Sequence, residues 1–72
     1  MTVCERALNV LARARRPLTT MEITQRAYPN VSERRLQEIR PIIYAKLSSQ
    51  LKWGTVRKSK GAGRDTYWEL IR

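Results

Sequence analysis

Val3, Ala7, Val10, Leu11 and Ala14 recur at helical spacing, while Glu5, Arg6, Asn9, Arg13 and Arg16 fall on the other side. Apolar residues at three- and four-residue intervals form the buried stripe of an amphipathic helix, so the pattern predicts a first helix over 3–15. Thr2 is placed to cap it, and Glu5 follows at capping-box spacing. Pro17 should stop it, because proline has no N–H for the helical ladder. Leu18 adds a short extended segment. Thr19-Thr20-Met21-Glu22 then repeats the capping-box pattern and opens a short second helix carrying Met21, Ile23 and Ala27. Pro29-Asn30 closes it as a turn.

Ser32 starts a third helical stretch, in which Leu36, Ile39, Ile43, Leu47 and Leu51 make one apolar stripe. Pro41 interrupts that stripe. Its ring disfavours helical backbone at Arg40 and clashes with the preceding turn. The expectation is therefore two helices, near 33–39 and over 41–52, with Pro41 at its tolerated first position; one kinked helix over 32–52 is the alternative. Gly54 should close the stretch as a C-cap. Residues 55–59 and 66–71 read as strands, with Val56, Trp68 and Leu70 facing inward at period two. Gly61 and Gly63 lie in the turn between them, where they permit positive φ. The prediction is a single α+β domain over 1–72, three or four helices followed by a two-stranded β-hairpin.

Composition narrows the function. With 72 residues, folding buries only about 60% of the open chain's surface, so a large enclosed active site is not expected. There are 15 Lys and Arg against 6 Asp and Glu, a formal net charge of +9. Such a balance attracts polyanions, nucleic acid first and an anionic membrane surface second. Histidine is absent and Cys4 is the lone cysteine. The usual zinc ligand set is therefore missing, and Cys4 reads as a small helix-packing residue. No paired carboxylates share one element, which leaves no acid–base machinery and predicts a binding module rather than an enzyme, without cofactor or metal. No apolar run approaches the roughly 20 residues of a spanning helix and no signal-peptide core stands at the start, so a cytoplasmic protein is expected.

The charge is unevenly spread. Between Glu38 and Asp65 there is no acidic residue, while Arg40, Lys46, Lys52, Arg57, Lys58, Lys60 and Arg64 all lie there. That interval reads as an electrostatic footprint for phosphates, against the plainer reading of a solvated surface. The stretch "KGAGRDT" at 60–66 does not fit the nucleotide-binding loop G-x-x-x-x-G-K-[ST] and has no helix after it. Trp68 belongs to the inward phase of its strand and reads as core. Trp53 beside Gly54 fits either core or contact, and Tyr67 on the outward phase is the better candidate for stacking on bases.

Three stretches resemble the winged helix-turn-helix domains: "PLTTMEITQRAY" at 17–28, "IYAKLSSQLKWGTV" at 43–56 and the hairpin to "DTYWEL" at 65–70. In that family the second helix of the pair lies in the major groove and the hairpin, or wing, meets the neighbouring backbone or minor groove. The resemblance implies double-stranded DNA as partner, helix 41–52 toward the major groove and the wing over 57–66. The implied contact residues are Arg40, Tyr44, Lys46, Ser48, Ser49, Lys52, Arg57, Lys58, Lys60 and Arg64. Two features depart from the family pattern. The link between helix two and helix 41–52 is long, with an inserted helical turn at 32–39. The outer face of 41–52 holds Pro41, Ile42, Ala45, Ser48, Ser49 and Lys52, and is poor in the Arg, Asn and Gln that read base edges. Three functions follow: a small transcriptional or DNA-transaction regulator, a module for structured RNA, or a protein-contact module centred on Ile42 and Ala45. With two residues after Leu70, no terminal dimerisation helix is expected, leaving a monomer or a homodimer. The compartment would be the bacterial or viral nucleoid, or the nucleus of a eukaryote.

Overall fold

The computed structural model describes residues 2–61 and 66–71. Among these, α1 (Val3–Ala14), β1 (Leu18–Thr19), α2 (Thr20–Ala27), α3 (Glu33–Lys52), β2 (Val56–Lys60) and β3 (Thr66–Leu70) follow in order. The architecture is α+β, three helices and a three-stranded antiparallel sheet consistent with a small winged-helix-like fold, in which the extended segment expected at Leu18 pairs as a third strand.

Local signals set the helix starts. The Thr2 hydroxyl oxygen accepts the Glu5 N–H at 3.1 Å, and Ser32 accepts the Arg35 N–H at 3.3 Å. Thr19 and Glu22 close a reciprocal capping box: Thr19 Oγ1 accepts the Glu22 N–H at 3.1 Å, and Glu22 Oε1 accepts the Thr19 N–H at 3.0 Å. Helix α1 ends before Pro17, where Arg15 takes left-handed backbone at φ 56°. Gly54 at φ 72° follows α3, and its N–H donates to the Leu51 carbonyl at 3.2 Å.

The expected break at Pro41 does not occur. Helix α3 runs without interruption for 20 residues from Glu33 to Lys52. A proline inside a helix costs about 3 kcal/mol. Against that, Leu36, Ile39, Ile43 and Leu47 are all buried, and each fully buried aliphatic side chain contributes roughly 1.5–3 kcal/mol. Their stripe passes Pro41 on both sides, and burial wins. Gln37, whose carbonyl loses its partner, and Pro41 are both exposed, so water can satisfy that carbonyl. Residues 32–39 are thus no insertion between helices but the cap and first turns of α3, and the α2–α3 link is the short segment 28–32.

The strands form one antiparallel sheet in the order β1-β3-β2. Leu18 pairs with Trp68 and Trp68 with Lys58, so these three side chains form a row on the face turned to the helices. Trp68, Leu18, Val56, Ile43, Leu47 and Leu11 meet in one core, with Leu51 and Leu70 packed at its margin. The Trp68 Nε1–H donates to Thr20 Oγ1 at 2.8 Å, which pins the wing to the start of α2. The Thr24 hydroxyl, buried in α2, donates to the Thr20 carbonyl at 2.8 Å. No described helix is long and apolar enough to cross a membrane.

Candidate nucleic-acid interface

Helix α3 presents three exposed directions around its buried stripe, set by a repeat of about 3.6 residues. Arg40, Tyr44 and Ser48 lie on the flank beside the wing. Ile42, Lys46, Ser49 and Trp53 lie on the opposite flank, with Ile42 48% and Trp53 78% exposed. Pro41, Ala45 and Lys52 point outward between them. Because the helix is continuous, Arg34 joins this outward face in its first turns and Gln37 joins Tyr44 and Ser48 on the flank beside the wing, and both are exposed. Splitting the helix at Pro41 had hidden them. They are side-chain types that pair with guanine and adenine edges, in which the outer face of 41–52 is poor.

The wing also has two faces. Val56, Lys58 and Lys60 alternate with Arg57 and Ser59 along β2. Lys58 extends over the Trp68 ring, its Nζ 5.9 Å from that centroid and 5.8 Å from the Tyr44 centroid. Lys60 emerges on the same side, opposite Thr66. Arg57 faces the other way and bonds the Glu69 carboxylate at 2.6 Å. There it borders Arg15 and Arg16 at the end of α1. The basic run from Arg40 to Lys60 is therefore divided between surfaces. Arg64 lies outside the described residues.

Between α3 and the wing is an open groove of about 380 Å³, lined by Thr19, Thr20, Met21, Arg40, Pro41, Tyr44 and Thr66. Tyr44 joins this groove to Lys58. Among the described residues, the ion pairs are Arg16–Glu22, Arg35–Glu38 and Arg57–Glu69. None involves Arg40, Lys46, Lys52, Lys58 or Lys60. The groove lining thus carries the cation Arg40 and the hydroxyl residues Thr19, Thr20 and Thr66, with no described carboxylate.

Two glycine and aromatic assignments change. Gly61 does not take positive φ; instead, a Cβ there would collide with the Tyr67 ring, so glycine is needed for close approach. Tyr67 is accordingly half-buried against the strand end rather than standing free to stack. Gly63 lies outside the described residues. Trp68 is fully buried, as its strand phase predicted. The sequence held no signal for the Tyr44–Trp68 and Thr20–Trp68 contacts, since each joins elements far apart along the chain. Comparison with protein-family models, with curated proteins and with solved structures gives no match for this chain.

Proposed function

We propose that this protein binds double-stranded DNA as a small transcriptional or DNA-transaction regulator, with α3 toward the major groove and the wing on adjacent backbone or minor groove. The observation that carries the reading is the junction of Arg40, Tyr44 and Lys58, where a helix cation in the groove and a wing cation over Tyr44 come together with no carboxylate among the described lining residues. Such an arrangement carries a cost from like-charge repulsion that an approaching phosphate chain removes. Ala45, Ser48 and Ser49 are small enough to let the helix approach base edges closely. Arg34 and Gln37 supply direct readout at its first turns, where recognition helices touch bases. On this reading the protein acts in the cytoplasm at the nucleoid, or in a nucleus, and needs neither metal nor cofactor.

The test is a polarisation titration with duplex DNA, single-stranded DNA and duplex RNA at two salt concentrations. Duplex DNA should bind tightest. Lys58→Ala with Lys60→Ala should weaken binding evenly across DNA sequences. It should also lower the slope of log affinity against log salt by about 0.9 for each phosphate no longer neutralised. Equal affinity for all duplexes at low salt in parent and double variant would remove the wing from the interface. A preference for duplex RNA would move the reading to an RNA-binding module.

A second reading has its own observation. Ile42 and Trp53 expose large apolar side chains at two points on the flank of α3 away from the wing, with Lys46 and Ser49 between them, which fits contact with another protein. DNA that binds equally well when Ser49 carries a charge would favour it.

A further inference from the structure

We propose that the cleft between α1 and α2 is a second phosphate-binding face, so that one molecule bridges two duplex segments. The proposal rests on the DNA-binding reading above and adds a separate site to it. Arg6, Asn9, Val10 and Arg13 of α1 and Arg26 and Ala27 of α2 line an open cleft of about 350 Å³. Arg6 and Arg13 stand on one stripe two turns apart, roughly 10 Å along the axis, and Arg26 faces them from α2. No carboxylate is in the lining. Glu22 precedes Arg26 by one turn, but its carboxylate is held by the Thr19 N–H and lies 3.6 Å from Arg16. Glu5 is engaged by the Thr2 hydroxyl at 3.2 Å. Among the described residues, neither Arg13 nor Arg26 has an ion pair, although Arg26 is near enough to Glu22 to favour its charged form.

Packing accounts for Arg6 alone. Its guanidinium donates to the Ala27 carbonyl at 3.3 Å and lies 5.1 Å from the Tyr28 ring centroid. Those contacts use one donor and fix the planar fork, leaving its other N–H groups for an anion. They do not explain why Arg13 and Arg26 converge on the same cleft. Three arginines around an open cleft repel one another, and the guanidinium fork matches phosphate oxygens bidentately. A nucleic-acid backbone is the favoured occupant, because it presents anions at regular intervals along the row that Arg6 and Arg13 form. A molecule already held on DNA by α3 also brings this second face to a high local concentration of duplex.

The two faces are independent. They share no lining residue: Thr20 and Met21 serve the wing groove, Arg26 and Ala27 the cleft. From Thr20 to Ala27 the axis of α2 rises about 10 Å. That is comparable to the screening length of about 8 Å at physiological salt, so removing a charge at one face weakens the other only modestly.

The experiment saturates an immobilised duplex with protein at about 0.15 M salt and measures capture of a second, labelled duplex. The parent should capture it. Arg13→Gln with Arg26→Gln, checked for parental circular dichroism, should bind a single duplex within about threefold of the parent yet capture roughly tenfold less. Undiminished capture by that variant overturns the proposal. So does a parent that binds one duplex and captures none, which leaves the DNA-binding reading standing. A parent that binds no duplex at all sinks both. If oligoglutamate releases the second duplex at lower charge concentration than competitor duplex does, the cleft takes an acidic protein segment and bridging is wrong.

Discussion

The Tyr44 ring meets the Trp68 indole edge-on, with centroids 5.5 Å apart and planes at 81°. This contact ties the exposed flank of α3 to the buried centre of the wing, and Lys58 rests against both rings. The wing cation is therefore held at a set position relative to the helix before any ligand arrives. An edge-to-face pair contributes about 0.5–1.5 kcal/mol beyond its buried area, and a cation over a ring at an exposed site about 0.5–1 kcal/mol.

Tyr44→Ala should accordingly lower urea stability by about 1–2 kcal/mol and weaken duplex binding, since Lys58 loses one of its two supports. Tyr44→Phe keeps the ring and should change stability by less than about 0.5 kcal/mol. Equal stabilities for the parent and the alanine variant would show that the ring pair contributes nothing.

Pro41 sits inside α3 at a position where its missing N–H leaves the Gln37 carbonyl to water. Pro41→Ala should restore that bond and raise stability by roughly 1–3 kcal/mol, read as a higher melting temperature. A lower melting temperature would mean that the ring itself is needed, for example where it lines the groove beside Tyr44.

Gln37 and Ser49 report on different parts of the proposed helix–DNA contact. Gln37→Ala should relax preference at one base pair by about 1–3 kcal/mol while leaving affinity for unrelated duplexes unchanged. Ser49→Glu should weaken all duplexes by roughly tenfold or more, because it sets a carboxylate against phosphates. Competition titrations across a panel of single-base variants distinguish the two patterns. A folded Ser49→Glu protein with parental affinity would place that flank of α3 away from DNA and beside a protein partner.

The Glu22 carboxyl lies below its ordinary pKa of 4.5, chiefly because the Thr19 N–H bonds the charged form. Partial burial opposes the shift, while the Thr19 hydroxyl, Arg16 and Arg26 reinforce it. A lowered folded-state pKa means that its stabilisation is fully present above the unfolded value and is lost as pH falls through the folded one. The side chain is 35% exposed, so solvent limits the effect to about 1 kcal/mol or less. Glu22→Gln should thus be less stable than the parent near neutral pH, with the gap closing below about pH 4. A gap that stays constant in urea titrations across that range would refute the capping role of the charge.

The helix boundaries were legible in the sequence because each depends on residues within one turn: Thr2, Thr19 and Ser32 as caps, Gly54 as the stop. The inward phase of Val56 and Trp68 was legible for a similar reason, since alternation is local to a strand. Pro41 misled because the local rule for proline carries no term for what the rest of the helix buries. Four apolar side chains outweighed it, and the outcome brought Arg34 onto the outward face of α3 and Gln37 onto its flank beside the wing. Strand β1 is two residues long and exists through its pairing with Trp68 and Tyr67 near the other end of the chain. No periodicity can be read over two residues. The same distance in sequence concealed the hydrogen bond of Trp68 to Thr20 and the partners of the wing cations, Glu69 for Arg57 and two aromatic rings for Lys58. Sequence alone determined which residues seek burial, which begin and end helices, and how much positive charge the surface carries. Tertiary structure decided which cations share a face, because that depends on strand register and helix packing, which are settled by contacts between residues the chain holds far apart.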